Sequence, residues 1–302
     1  MVLFMAECKF FCPQCAQHIQ CDTSYWGKQI NCPSCKQTIV VPQPSSTAQS
    51  AGGRKDKSIW PKIGAGVAAL LVVVAGLFFY WHFNRPAGLI GLWSGNGNGH
   101  NSAGGNNAEL KNIAFARGKN GQAFQFNSED AEIKIPPSRE FRTGLTNGFT
   151  LEAWINPTDI AKCHPLFEWN AGNGTTYWGV HFHFLTPSGG QPGALYANIV
   201  DKNGSWHQIW SPGGTVVENE FQYVALTYDR KSGEAKMYCN GEVVAEQNVG
   251  HFTPQTSYNL YLGKRPLTQG ETYTFSGLLE NAAVYKRALS DEEIQASYQR
   301  HQ

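Results

Sequence analysis

Four cysteines near the N-terminus have the type and spacing of a metal site. They form two Cys-Pro-x-Cys pairs, Cys12/Cys15 and Cys32/Cys35, with residues 16–31 between them. Two C-x2-C pairs at this separation are typical of zinc sites. Four thiolates close a tetrahedral centre and leave no coordination position for a substrate. The spacing therefore predicts a structural zinc ion, which supplies folding free energy to a module too short for a large core.

Two other uses of these cysteines are a disulfide framework and a redox Cys-x-x-Cys motif. No strand–helix pattern follows either pair, which favours zinc over the redox motif. Cys8 and Cys21 are additional thiols, expected to be buried or free, and His18 is expected to be a surface residue. The segment resembles the short zinc-ribbon domains found at the N-terminus of many bacterial proteins, with Gly27 and the second cysteine pair in the expected places. We assign residues 1–41 to a zinc ribbon.

The charge of the chain is nearly balanced but unevenly distributed. The 302 residues carry 24 Lys and Arg against 23 Asp and Glu, a net charge of +1. The part before Ile63 carries an excess of basic residues and the rest a slight acidic excess. No tight basic cluster lies inside the ribbon, so no nucleic-acid partner is expected. Only 16% of residues are charged and 32 are Gly, which is typical of a β protein with Gly turns and excludes a coiled coil.

An apolar run at residues 63–83 divides the chain. It contains no Asp, Glu, Lys or Arg, and as a helix it would be about 31 Å long, the thickness of a bilayer core. Trp60 precedes it and Tyr80 and Trp81 close it, where interfacial aromatics are expected. A buried helix of a soluble protein is the alternative, but the length favours a membrane span. We predict a flexible linker at 42–59 and one transmembrane helix at 60–84.

The flanking charges predict the orientation of this span. Four basic residues precede it, whereas only Arg85 follows it closely; the four are Arg54, Lys55, Lys57 and Lys62. Because positive flanks remain in the cytoplasm, we expect a cytoplasmic N-terminus and a periplasmic or extracellular C-terminal domain. A thiolate zinc site persists in a reducing compartment, which agrees with this orientation.

The C-terminal part has the pattern of many short strands between Gly, Asn and Pro turns. The clearest strand candidates cover residues 148–157, 176–184, 193–201, 220–229, 235–246 and 275–285. In the second candidate, alternation puts Trp178, Val180, Phe182 and Phe184 on one face and Tyr177, His181 and His183 on the other. Asn240-Gly241 predicts a hairpin, and Ser290 with Glu293 predicts a capped terminal helix.

Five ordered blocks in this part resemble the laminin-G-like, concanavalin A-like jelly-roll family. The resemblance covers residues 88–299 in the blocks LIGLWSGNGNGHNSAGGNN, GKNGQAFQFN, GFTLEAWINP, YVALTYD with MYCNGEVV, and FSGLLENAAVYKRALSDEEI. It implies a mainly β fold, a two-sheet antiparallel sandwich at 87–302, and a non-catalytic role in binding glycans or surface proteins. Family members are commonly attached to bacterial cell-surface proteins.

The resemblance also implies a calcium position, at which this sequence departs from the family. Acids of calcium-binding members correspond here to Asn96 and Asn101, then Glu280 and Asn281. Ca²⁺ prefers several hard oxygen ligands with carboxylate charge. Because amides replace acids, we expect at most weak calcium binding at Asn96, Asn101 and Glu280.

Polar and aromatic residues opposite the core are the candidates for ligand recognition. Alternation puts them on one open sheet face, where aromatic rings can stack on sugars and amides or imidazoles can bond hydroxyls. A solvated sheet face without a ligand is the alternative interpretation. The candidates are His181, His183, Tyr196, Asn198, Trp206 and Trp210.

No group of residues predicts catalysis. Glycoside hydrolysis needs two carboxylates across the scissile bond, and no strand carries closely spaced acids; Glu152 is alone on its strand. For Cys163 and Cys239, a disulfide and two separate thiols remain alternatives, although alternation puts Cys239 on the core face. We therefore predict a single-pass bacterial membrane protein that displays a non-catalytic binding or adhesion domain for carbohydrate or protein. The alternatives are a transmembrane sensor or scaffold and an unrecognised glycoside hydrolase.

Overall fold

The computed structural model describes residues 7–43, 86–172, 178–184, 190–268 and 271–300. The chain divides into two compact units, Met1–Ala75 and Gly76–Gln302. The transmembrane helix predicted at 60–84, and the predicted linker apart from its first two residues, lie outside the described residues. Within the residues that are described, no helix is both long enough and apolar enough to cross a bilayer.

The described part of the N-terminal unit, residues 7–43, contains two β-hairpins built in the same way. In each hairpin the turn between the two strands is a knuckle that carries one Cys-Pro-x-Cys pair, and each knuckle turns through a residue with positive φ, Ala16 (56°) and Lys36 (62°). The amide of Ala16 donates to the carbonyl of Cys12, and that of Lys36 donates to Cys32. The strands are β1 (Glu7–Phe11), β2 (His18–Asp22), β3 (Gln29–Asn31) and β4 (Thr38–Val40).

The described part of the C-terminal unit is a β-sandwich with one α-helix. Its first strands are β5 (Leu89–Trp93), β6 (Glu109–Lys111), β7 (Ala114–Arg117), β8 (Gln122–Phe126), β9 (Glu132–Ile135), β10 (Gly148–Pro157), β11 (His164–Asn170), β12 (Trp178–Phe184) and β13 (Leu195–Asn198). The remaining elements are β14 (Gln208–Trp210), β15 (Gln222–Asp229), β16 (Glu234–Cys239), β17 (Glu242–Asn248), β18 (Asn259–Leu262), β19 (Lys264–Thr268), β20 (Glu271–Thr274), β21 (Gly277–Tyr285) and α1 (Asp291–Arg300).

Two antiparallel sheets pack face to face around one apolar core. The first has eight strands in the order β17-β16-β15-β10-β21-β8-β7, with β5 also paired to β21; the second has seven, β14-β13-β12-β11-β18-β9-β6. Alternate residues of each strand enter the core, among them Phe149 and Leu151 of β10 and Phe182 and Phe184 of β12. The predicted two-sheet sandwich is confirmed, because period-two alternation fixes which face of a strand is buried.

Two local predictions are confirmed in detail. Asn240 and Gly241 both have positive φ, 51° and 85°, as a two-residue hairpin turn requires. At the start of α1, the amide of Ser290 donates to the Glu293 carboxylate (3.0 Å) and the amide of Glu293 donates to Ser290 Oγ (3.3 Å), which is a capping box. The helix covers the outer face of the eight-stranded sheet through Leu289 and Ile294.

The predicted position of one side chain is wrong. Val180 lies in the core, as alternation predicts. However, Glu168 pairs with His181 while Asn170 pairs with Trp178, so β12 has one extra residue there. This bulge reverses the alternation. Trp178 therefore lies beside His181 on the outer face of the seven-stranded sheet, with ring centroids 6.1 Å apart.

Candidate metal centre and ligand-binding face

The two N-terminal knuckles bring the four predicted cysteines together. The sulfurs of Cys12, Cys15, Cys32 and Cys35 all lie within 4.8 Å of one another. Sγ of Cys12 is 3.8 Å from Sγ of Cys35, and Sγ of Cys15 is 3.7 Å from Sγ of Cys32. Four sulfurs bound to one zinc ion at about 2.3 Å would be about 3.8 Å apart. The cluster thus has the size of a zinc–thiolate centre; its occupation by zinc stays a prediction.

Backbone groups of the second knuckle favour the form of cysteine that metals bind. The amides of Cys35 and Ser34 donate toward Cys32 and lower its pKa to about 6, although desolvation opposes them. Thiolates are the metal-binding form. Cys8 and Cys21 lie opposite each other on β1 and β2, outside the cluster. A hydrogen bond with Cys8 raises the pKa of Cys21 to about 11.

The outer face of the seven-stranded sheet collects four of the predicted ligand-binding residues. His181 pairs with Asn198, and His183 pairs with Tyr196 on the neighbouring strand. All four are buried, each with no more than 4% of its surface exposed. The prediction that they share a face is confirmed, and the prediction that this face is open to solvent is wrong for them.

A buried ion pair explains why the centre of this face is closed. Arg265 of β19 reaches Glu168 of β11 and donates from Nε to both carboxylate oxygens at 2.9 and 2.8 Å. His183 Nε2 is 2.9 Å from Glu168 Oε2, and Asn170 Nδ2 donates to Glu168 Oε1 at 2.7 Å. The Glu168 carboxylate therefore has partners on all its sides, as a buried charge requires.

The charge of Arg265 determines the ionisation of this network. Burial would raise the pKa of Glu168, but Arg265 and the His183 hydrogen bond outweigh it and lower that pKa to about 2. Burial, followed by Arg265, lowers the pKa of His183 to about 4. At neutral pH the carboxylate is ionised and the imidazole is neutral, so His183 donates through Nε2. An ionised Glu168 has no proton to give, so it does not suit the acid role in glycoside hydrolysis.

Aromatic rings lie beside this closed centre, and we call Trp178, Tyr196, Trp206 and Trp210 the aromatic rim. Tyr196 is buried and Trp178 half-buried, whereas the two remaining rings are exposed. Trp206 is 56% exposed and Trp210 37% exposed. The ring centroids of Trp178 and Trp206 are 5.6 Å apart, and those of Tyr196 and Trp210 are 4.2 Å apart. The Arg265 guanidinium lies 5.2 Å from the Trp178 ring centre, which joins the rim to the buried network.

Two polar groups face the rim from the strands below it. Gln208 is exposed and its Nε2 donates to the Tyr196 hydroxyl at 2.9 Å. Asn198 accepts from the amide of His207 at 3.0 Å through Oδ1, while its buried Nδ2 has no hydrogen-bond partner among the described residues. The face therefore combines exposed aromatic rings with amide donors and acceptors, which is the chemistry that recognises hydroxylated rings.

The oxygens of the predicted calcium residues bond backbone amides. Asn96 Oδ1 accepts from the amide of Gln122 at 2.9 Å, and Asn101 Oδ1 accepts from the amides of Leu92 and Ala103, both at 2.9 Å. The Glu280 carboxylate accepts from the amides of the turn at 119–120, at 2.7 and 3.1 Å. These side chains hold loops in place, and calcium binding here stays a prediction.

Three further residues are buried at different places in the sandwich: Glu152, Cys163 and Cys239. Glu152 lies under α1 on the outer face of the eight-stranded sheet, where Tyr223 and Tyr285 donate to its oxygens at 2.5 and 3.0 Å. Burial raises its pKa more than these hydroxyls lower it. Cys163 and Cys239 are both buried, and neither forms a disulfide. Cys163 Sγ lies 3.8 Å from His183 Nδ1, whereas Cys239 contacts the carbonyl of Thr215, so the structure has two separate thiols.

Comparison with known families agrees with this architecture. A laminin-G family model, described as the concanavalin A-like lectin/glucanases superfamily, matches residues 127–295. The chain belongs to this superfamily. No curated protein matches the chain. The description of the superfamily includes both lectins and glucanases, so membership alone is compatible with binding and with hydrolysis.

Several solved structures share the fold of this superfamily member. One is domain 4 of AbnA, a GH43 extracellular arabinanase from Geobacillus stearothermophilus, solved in complex with arabinotriose. It is 21% identical to this chain, with a TM-score of 0.51, and the match covers 70% of this chain and 98% of that one. The binding domain of Paraclostridial Mosquitocidal Protein 1 is 14% identical with a TM-score of 0.52 and 70% of this chain covered. The binding domain of botulinum neurotoxin DC, in complex with SialylT, is 12% identical with a TM-score of 0.51 and 72% covered. The chain spans about half of each toxin domain, 52% in both cases.

Proposed function

We propose that this protein is a membrane-anchored carbohydrate-binding protein in which the sandwich binds a glycan through the aromatic rim. The observation that carries the proposal is the exposure of Trp206 and Trp210 next to polar groups on the outer face of the seven-stranded sheet. Sugar rings present apolar C–H faces to aromatic rings and hydroxyls to amides. The names of two fold neighbours support the ligand class, since domain 4 of the arabinanase was solved with arabinotriose and the neurotoxin DC domain with SialylT.

The buried network below the rim supports binding without turnover. Glu168 is ionised, fully enclosed and held by Arg265, so it positions strands and does not reach a substrate. Because the guanidinium also lies against Trp178, the network fixes one ring of the rim. Rigid aromatic rings lose little conformational entropy when a ligand binds, which favours affinity.

A glycan array tests the proposal directly. The full-length protein in detergent micelles is applied to neutral and acidic oligosaccharides, and each hit is measured with Trp206→Ala. We expect this variant to lose about tenfold or more in affinity, because stacking of a nucleobase on one aromatic ring contributes about 1–3 kcal/mol and we take the same magnitude for a sugar ring. Leu145→Ala is the matched control, since Leu145 is equally exposed (59%) and is not part of the rim.

Two outcomes would contradict this assignment. Absence of any saturable glycan binding by the full-length protein would remove the ligand class. Glycan binding that Trp206→Ala, Trp210→Ala and their combination leave unchanged would keep the ligand class but move the site elsewhere.

The proposed topology is a cytoplasmic zinc ribbon, one span at 60–84, and a sandwich in the periplasm or outside the cell. It is supported by the sequence of the span and its flanking charges. Reporter fusions at both ends should show export of the C-terminus alone, and carbonate should not extract the protein without detergent. Export of the N-terminus would contradict the orientation, and extraction by carbonate would contradict the span.

We also propose that the four-cysteine cluster holds one structural zinc ion. Its residues supply four sulfur ligands and leave no position for a substrate, so the metal would stabilise the two knuckles. Metal analysis of the full-length protein should find one zinc, lost in Cys12→Ser and retained in Cys163→Ser. Retention of zinc by Cys12→Ser would contradict the site.

A further inference from the structure

A cavity of the sandwich lies away from the aromatic rim. Its volume is about 630 Å³, within the range of small-molecule sites. It is lined by the segment that leads into β11, by the end of β8 and by β20 with the residues after it. Its walls combine the apolar rings of Phe126 and Phe275, 5.5 Å apart, with the polar side chains of Asp159 and His164. None of the residues of the rim lines it.

His164, in the wall of this cavity, has a buried nitrogen for which the described residues provide no hydrogen-bond partner. The imidazole is only 4% exposed, and its Nδ1 lies 3.1 Å from the carbonyl oxygen of Thr274. A carbonyl oxygen only accepts, so Nδ1 carries the proton. Burial lowers the pKa of His164 and keeps the ring neutral. Nε2 is then a bare acceptor, and within the part of the chain that the structure describes no donor satisfies it, which is costly for a buried polar atom.

Asp159 places a second acceptor beside this nitrogen. Its Oδ2 lies 4.0 Å from Nε2 of His164, too far for a direct hydrogen bond. Its Oδ1 accepts from the amide of Ala161 at 2.8 Å, which fixes the orientation of the carboxylate. On the solvent side, Lys162 Nζ is 3.5 Å from Oδ2. Two acceptors thus face one space, and a ligand there must supply two hydrogen-bond donors.

We propose that this cavity binds the vicinal diol of a sugar, with one hydroxyl donating to Nε2 of His164 and the neighbouring hydroxyl donating to Oδ2 of Asp159. Adjacent hydroxyls present two donors at a spacing that suits acceptors about 4 Å apart. The rings of Phe126 and Phe275 give the site an apolar wall. A metal ion fits less well, because among the described residues the four cysteines are the only group of three or more His, Cys, Asp or Glu ligand atoms. The site is independent of the proposed function, since it uses none of the residues of the rim.

Nuclear magnetic resonance of the histidine rings tests this site. The full-length protein is labelled with ¹⁵N-histidine in detergent micelles and titrated with methyl α-D-mannopyranoside, then with its per-O-methylated derivative, which has no donors. The Nε2 resonance of His164, assigned by its loss in His164→Asn, should move saturably with the first probe alone. Asp159→Asn should weaken the apparent affinity by about tenfold or more, because one of the two acceptors changes.

Matched variants distinguish binding at this site from binding at the rim and from effects of a histidine substitution elsewhere in the sandwich. His207→Asn is the control, because His207 Nδ1 also bonds a backbone carbonyl, that of Val249, in another part of the sandwich. His207→Asn and Trp206→Ala should leave the titration of His164 within about twofold of the unmodified protein. If Trp206→Ala abolishes it, the two sites are one and the proposal is wrong.

Three further results would overturn the proposal. The first is a His164 resonance that does not move up to the solubility limit of the glycoside. The second is an equal response to the per-O-methylated probe, which would show that no donor is needed. The third is a response to ZnCl₂ or CaCl₂ without a response to the glycoside, which would assign the pair to a metal ion.

Discussion

Two buried carboxylates, one on the outer face of each sheet, are stabilised in opposite ways. Glu168 lies against a guanidinium, and the pKa of this carboxyl is lowered to about 2. Glu152 lies under α1 with two tyrosine hydroxyls, and burial raises its pKa. The difference shows that burial by itself does not determine the charge of an acid; the partner does. The two faces also differ in their cover: α1 closes the face with Glu152, whereas the face with Glu168 keeps exposed aromatic rings.

Removal of the Arg265 guanidinium should lower the stability of the protein more than the other changes. Arg265→Met leaves the Glu168 charge buried without its partner, which should lower the free energy of unfolding by about 3–5 kcal/mol. Urea unfolding followed by near-ultraviolet circular dichroism measures the loss. Lys134→Met removes a partly exposed ion pair with Glu109 (3.0 Å) and should cost about 1 kcal/mol or less. Equal costs for the two variants would show that the buried pair is no stronger than the surface one.

Acidification should change the contributions of Glu168 and Glu152 to the free energy of unfolding in opposite directions. The pKa of Glu168 falls from 4.5 to about 2 on folding, so its stabilisation is complete above pH 4.5 and is lost as the pH falls toward 2. That loss should be of the order of 3 kcal/mol. The pKa of Glu152 is raised on folding, so its penalty grows as the pH rises above 4.5. Unfolding free energies measured against pH should therefore flatten below pH 4.5 in Glu168→Gln.

Glu152→Gln provides the other half of the pH comparison. The unmodified protein should gain stability relative to this variant as the pH falls from neutral toward 4.5. At neutral pH the substitution itself should change the free energy of unfolding by about 1 kcal/mol, because an amide still bonds both tyrosine hydroxyls. Glu152→Leu is the sharper control, since it leaves two buried hydroxyls without a partner. An equally large cost for Gln and for Leu would contradict this, because it would mean that the negative charge, which both variants lack, is needed there.

Trp206→Ala should have the smallest effect on stability. Trp206 is mostly exposed, so the free energy of unfolding should change by about 0.5 kcal/mol or less while glycan affinity falls. Thermal unfolding and the glycan titration on the same sample check both statements. A large loss of stability would mean that the ring is structural and not available to a ligand.

Sequence periodicity was sufficient for the parts of the molecule that are locally determined. Both boundaries of β10, the C-terminal end of β21, the Asn240-Gly241 turn and the Ser290–Glu293 cap all follow from residues close together in the chain. The cysteine cluster follows because each pair lies within one tight turn and a metal site requires the two pairs to meet.

The buried network could not be predicted, because its members are far apart in sequence. Glu168 and Arg265 come from β11 and β19, and no local pattern joins them. The signal available was a single acid within the otherwise apolar and aromatic run of β11. The bulge in β12 could not be detected from alternation either, and it moved Trp178 onto the face that carries the aromatic rim. The solvent exposure of a sheet face depends on the residues that pack over it, and sequence periodicity does not predict these residues.

The placement of β21 has a consequence for biosynthesis. This strand pairs with β10 on one edge and with both β8 and β5 on the other. The ribosome therefore completes β5, the first strand of the sandwich, long before its partner emerges, and until then β8 and β10 have no common neighbour. Non-local pairing of this kind is slow, so strand edges of the nascent sandwich stay exposed until β21 has docked, and exposed edges favour aggregation.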